Sequence, residues 1–271
     1  MDTPMKISSF LFYIVGAFVL ISLICTGQDA GSGRYPDPKR FEAEIQRFES
    51  QDRDHMPPAG AIVCTGSSSM RMWSDSIRAD LAPLTVIPRG FGGSNMNDLL
   101  YYTGRIVLRY KPRAVVVYEG DNDIAQGISP EKITETFRAF IRVIHNKIPE
   151  CRIYFLSVKP SLARLNLWPE MNKTNRLIAA VCNGDSRLIY VDVASGMMDE
   201  HGTPRKDIFR EDGLHMNRQG YRLWKAALKP VLMKTELKYE PGSDRNSFPR
   251  EFPNNGVIHE LHLLTYKQFH Q

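Results

Sequence analysis

A serine hydroxyl attacks a carbonyl only when a base takes its proton. The chain holds residue types suited to that chemistry. Ser67, Ser68 and Ser69 follow Gly66, directly after the apolar residues 61–65. Far downstream comes Asp212-Gly213-Leu214-His215, an acid three residues before a histidine. Histidine changes charge near neutrality, so it suits a base. A carboxylate beside it fixes the tautomer and stabilises the imidazolium. Between them lie Arg89-Gly90-Phe91-Gly92-Gly93-Ser94 and Gly120-Asp121-Asn122-Asp123. A glycine N–H and an asparagine amide are the kinds of donor that hold an oxyanion. The expectation is a nucleophile, a base with its acid, and two oxyanion donors.

These residues must be carried by a scaffold. Residues 61–65, 84–88, 114–118, 152–157 and 188–191 are short, β-branched and nearly continuously apolar. Such strands suit a parallel sheet covered on both faces. Helices are expected at 74–81, 97–110, 131–147, 169–182 and 218–233, and a charged helix at 39–53 with Phe41, Ile45 and Phe48 on one stripe. Ser129-Pro130 marks a helix start. The alternation predicts an α/β fold: a three-layer α/β/α sandwich on a five-stranded parallel sheet, flavodoxin-like in type. In such sheets ligands bind beyond the C-terminal strand ends. The serines, the glycine cluster, Asn122 and His215 all fall where they can meet on that rim.

The 271 residues suit one domain with appendages, and 42% apolar content suffices for a core. Lys6 precedes the apolar run at residues 10–24, the pattern of an export signal or a short anchor. Four parts are expected: signal peptide or membrane anchor (1–27), linker (28–38), catalytic domain (39–235) and C-terminal extension (236–271). The body is expected outside the cytoplasm, periplasmic or envelope-associated, with membrane anchoring through residues 7–25 as one form. A lipid anchor on Cys25 is disfavoured by the bulky Ile24 before it. Cys64, Cys151 and Cys182 are odd in number and read as free thiols rather than a disulfide frame. The net charge of +5, from 35 basic and 30 acidic residues, is a small excess on a mixed surface. No basic helix or zinc-finger spacing points to nucleic acid.

No cofactor motif is complete. Residues 90–95 read Gly-x-Gly-x-x-Asn, short of a dinucleotide fingerprint, and no Gly-Lys-Ser/Thr follows. Asp121 and Asp123 flank Asn122, but nothing completes a calcium loop. His259 and His262 stand three apart, not the four of a zincin. Neither a metal nor a cofactor is expected. Gly66-Ser67-Ser68-Ser69-Met70 also lacks the second glycine of an α/β-hydrolase elbow.

Taken together, the blocks resemble the SGNH hydrolase superfamily, also called GDSL-like lipases and esterases. The resemblance spans about residues 59–232. Gly66-Ser67-Ser68-Ser69 stands where the family has Gly-Asp-Ser-Leu. This departure resembles the branch of platelet-activating-factor acetylhydrolase catalytic subunits and related bacterial proteins. The resemblance implies Ser68 as nucleophile, His215 as base and Asp212 as its acid. It implies an oxyanion hole of Ser68 N–H, Gly93 N–H and Asn122. Trp73 is expected beneath the nucleophile loop. Arg164 and Trp168 are candidates for a pocket wall, and Arg89 for an anionic leaving portion. The implied activity is serine esterase on carboxylic esters, short-acyl or acetyl esters of glycans or lipids. The alternatives are a thioesterase or lysophospholipase, or a non-catalytic envelope binding module on the same scaffold.

Overall fold

The computed structural model describes residues 33–240. The expected export segment, Cys25 and the tail histidines lie outside the described residues. Five strands form one parallel sheet: β1 Ile62–Gly66, β2 Val86–Gly90, β3 Ala114–Tyr118, β4 Arg152–Leu156 and β5 Leu188–Val191. Their order is β2-β1-β3-β4-β5. The chain leaves β1 for one edge, returns, and continues from β3 toward the other. That reversal opens a crevice at the C-terminal ends of β1 and β3.

The three central strands bury nearly every residue, because helices cover both sheet faces. Successive side chains alternate between faces. Val63, Val115, Val117, Ile153 and Phe155 join a core with Ile45, Leu99, Phe137 and Ile178. Those residues come from α1 Glu42–Asp54, α3 Met96–Ile106, α5 Pro130–Lys147 and α6 Trp168–Cys182. Ile62, Cys64, Val116, Tyr118, Tyr154 and Leu156 face the other core, with Trp73 and Trp224. These two come from α2 Ser68–Leu81 and α7 Arg218–Glu236. The three-layer sandwich expected from the alternation is thus the fold.

Differences lie at element ends. Helix α2 begins at Ser68, not at residue 74: its apolar stripe of Met70, Trp73, Ile77 and Leu81 reaches back into the first turn, which opens on the polar Ser68 and Ser69. Helix α3 stops at Ile106, followed by a 3-10 turn Leu108–Tyr110 that closes on Lys111 at φ +44°. A short helix, α4 Asp121–Ala125, was too brief to leave a periodic signature. Helix α7 runs past residue 233 to Glu236. The buried Glu236 carboxylate accepts from Arg113, Arg152 and Tyr154, which ties the helix end to β3 and β4. Beyond it Glu240 accepts from Thr85 N at 2.7 Å. At the other end Tyr35, within the stretch read as linker, donates its hydroxyl to Asp123 Oδ1 at 3.0 Å. Cys64, Cys151 and Cys182 are free and buried, and burial pushes each thiol up to about 12.

Candidate active site

Strand β1 ends at Gly66, whose φ is +131°. A Cβ there would lie 2.0 Å from the Tyr118 carbonyl oxygen of β3. Only glycine permits this approach. Ser67 N donates to that same carbonyl at 3.1 Å, and the chain turns directly into α2. Ser68 is therefore the first residue of the helix, half-buried at the sheet's C-terminal rim. Its N–H has no intrahelical acceptor at that position, and the helix dipole favours negative charge beside it.

The helix is fixed from below. Trp73 is fully buried, stacks on Tyr221 with centroids 5.6 Å apart, and donates to Asp80 at 2.8 Å. Tyr221 donates to the Ser69 carbonyl at 2.9 Å. Trp73 thus packs under the serine turn, as the sequence suggested.

Across from the serine lies the loop before α7. His215 Nε2 is 3.0 Å from Ser68 Oγ, and His215 Nδ1 is 2.6 Å from Asp212 Oδ2. The second oxygen of Asp212 accepts from Leu214 N at 2.9 Å and His215 N at 2.8 Å. Burial works against the charge on Asp212. Hydrogen bonds from the His215 side chain, His215 N–H and Leu214 N–H outweigh it and bring the carboxyl down to about 2. Residues distant in sequence therefore form one hydrogen-bonded line from carboxylate to hydroxyl.

The two expected donor blocks lie on the same rim, after β2 and β3. Gly93 is exposed with φ +86°. Asn122, in α4, donates through Nδ2 to the Ser94 carbonyl at 2.9 Å. Its Oδ1 accepts from Arg164 Nη1 at 3.1 Å. An amide nitrogen carries two N–H donors, so one remains beyond the bond to Ser94.

Beneath these loops lie two buried acids: Asp123, which the sequence marks beside Asn122, and Glu119, which the sequence reading did not single out. Glu119 is fully buried and pairs with Ser94 Oγ at 2.6 Å. Burial, with Asp123 nearby, holds its carboxyl well above the usual carboxylate range. Asp123 accepts from Tyr35 and Met96 N, yet burial still raises it to about 7. The available signal was a glutamate closing the apolar strand β3, at Tyr118-Glu119-Gly120.

These acids give a pH dependence. Between about pH 4 and pH 7 folded Asp123 keeps a proton that the unfolded chain releases. The unfolded state then binds fewer protons, so this group lowers stability as pH rises through that window. Asp123→Asn removes the slope. Denaturant unfolding at pH 5 and pH 8 should show the variant gaining on the parent at the higher pH by about 2–4 kcal/mol. An equal difference at both pH values would mean that Asp123 is ionised throughout.

The three candidate substrate contacts separate. Arg89 is corrected. It lies buried on β2, donating to Tyr110 at 2.6 Å, to the Pro88 carbonyl at 2.7 Å and to Asp52. Phe48 covers it at 5.1 Å. A strand residue alternates faces, and this one points into the helical layer rather than to the rim. Trp168 lines a pocket with Asn172, Tyr190, Asp192 and Ser195. That pocket draws its walls from α6, β5 and the segment after β5, not from the loops of Ser68 and His215. Arg164 is half-buried and reaches the Asn122 turn.

Comparison with known proteins agrees with this architecture. The chain is 26% identical over 219 residues to the platelet-activating factor acetylhydrolase IB subunit alpha1 of Bos taurus, covering 79% of this chain and 91% of the relative. It superposes on a GDSL-like lipase from Bacteroides thetaiotaomicron with TM-score 0.60 at 18% identity, covering 71% of this chain and 98% of that one. The lipase/acylhydrolase of Enterococcus faecalis gives TM-score 0.53 at 22% identity, over 65% and 96% of the two chains. Residues 58–223 match the GDSL-like Lipase/Acylhydrolase family, a stretch that holds all four sequence blocks. The chain belongs to that family and is an ester-hydrolysing enzyme of the SGNH type.

Proposed function

We propose that the protein is a serine esterase that works through Ser68, His215 and Asp212 and an acyl-enzyme. The hydrogen-bonded line of 3.0 Å and 2.6 Å through these residues carries the reading. His215 Nε2 takes the Ser68 proton as Oγ bonds to the acyl carbon. The carbonyl oxygen gains the negative charge and is held by Ser68 N–H, Gly93 N–H and the free N–H of Asn122. Collapse breaks the bond to the leaving oxygen, which takes the proton from His215. Water, deprotonated by His215, then attacks the acyl carbon, and Ser68 leaves as the restored alcohol. Asp212 keeps its charge throughout and balances the imidazolium.

The substrate is proposed to be a short-acyl ester, acetyl first, of a glycan or lipid. The bovine relative is named as an acetylhydrolase, which supports the acyl length. The exported location proposed from the apolar segment at residues 10–24 supports envelope glycans or lipids, and cell fractionation tests it. Rates on chromogenic esters of two to sixteen carbons, with a thioester and a lysophospholipid alongside, test the substrate class. The acetyl ester should give the highest kcat/KM, at least about tenfold above the longest acyl chain, a difference of about 1.4 kcal/mol. Preference for long acyl chains or for the thioester would contradict this.

A further inference from the structure

Residues 159–164, between β4 and α6, touch both halves of the site. Buried Lys159 donates to the Leu214 carbonyl at 2.8 Å, and Ala163 N donates to the Gly213 carbonyl at 3.0 Å. Both hold the loop of Asp212 and His215. From the same segment Arg164 donates to Asn122 Oδ1 at 3.1 Å and to the Asp121 carbonyl at 3.0 Å. Asp121 Oδ2 lies 3.5 Å from Arg164 and 3.8 Å from Lys159. One short segment therefore braces the acid–base loop and the amide turn together.

We propose that Arg164 is a positioning residue that fixes the orientation of the Asn122 amide, and not a substrate contact. An asparagine amide has two nearly isosteric orientations. In the one observed, Nδ2 faces the Ser94 carbonyl and Oδ1 faces the Arg164 guanidinium. Reversal would set an oxygen against a carbonyl and an NH₂ against a cation. Two mismatches oppose it. A reversed amide would also turn a lone pair toward the developing oxyanion. The cation has a further effect. A charge-assisted bond to Oδ1 polarises the amide and strengthens its N–H as a donor. A single nitrogen, Arg164 Nη1, donates both to the Asn122 side chain and to the Asp121 carbonyl, so the cation is held at the turn while it faces Oδ1. The inference rests on the oxyanion role proposed for Asn122.

Epistasis tests it. Steady-state kinetics on a short-chain ester are measured for Arg164→Met, Asn122→Ala and the double variant, with melting temperatures for each. Arg164→Met should lower kcat about tenfold and leave KM within about twofold. Added to Asn122→Ala, it should cost less than about twofold more, because its target is gone. Multiplied losses in the double variant, or a raised KM with kcat intact, would make Arg164 a substrate contact and overturn the proposal. An Arg164→Met variant with parental kcat would overturn it as well. If Asn122→Ala alone is silent, the oxyanion reading fails and the proposal falls with it, while labelling of Ser68 still judges the nucleophile separately.

Discussion

Ser68→Ala should lose on the order of 10³-fold or more of ester turnover while folding as the parent does. The hydroxyl is the only group removed. Ser68 opens α2, and its side chain supports no part of either core. Among the described residues its side chain bonds to His215 Nε2 alone. The helix is anchored elsewhere, through Trp73, Tyr221 and Asp80. A melting temperature near the parent value, with kcat at the detection limit, is the expected pair of results. Equal turnover by parent and variant would remove Ser68 from the chemistry.

Asn122→Ala carries the second large effect. Each oxyanion donor contributes roughly 10²-fold or more to kcat, because it acts on charge that appears only in the transition state. The same substitution deletes one bond to Ser94 and one to Arg164, both partly exposed. Bonds of that kind contribute about 1 kcal/mol each, so the melting temperature should change little. A drop in kcat of roughly 10²-fold with KM nearly constant is the expected outcome. A variant that unfolds at assay temperature would instead make Asn122 a turn-closing residue.

The scaffold was legible because its strands are nearly continuous apolar runs and its long helices carry apolar stripes. Both signals come from burial, and burial sets the layers. Helix α2 shows where such reasoning stops. Its stripe of Met70, Trp73, Ile77 and Leu81 reaches into the first turn, but the helix opens on the polar Ser68 and Ser69, placed by the Gly66 backbone rather than by burial. The four site blocks were readable as residue types, and their order along the chain matched strand ends. Arg89 shows the converse limit. Proximity in sequence to the glycine cluster suggested a rim position, but a strand residue's face is set by pairing register. That register turns it toward Asp52 and Tyr110. Arg164, Lys159, Glu119 and Asp123 owe their roles to contacts between loops on different strands. No local pattern encodes such contacts. Glu119 left a trace only as an acid at the end of a buried strand.

Covalent labelling measures the central claim most directly. The full-length protein is treated with a fluorophosphonate probe, digested, and the modified residue located by mass spectrometry. Phosphonylation needs an activated serine: the oxygen attacks phosphorus, fluoride leaves, and the hydroxyl proton passes to the base. The account predicts a single label on Ser68, lost in Ser68→Ala and strongly slowed in His215→Ala. Folded protein that hydrolyses esters but carries no label on Ser68 would contradict it.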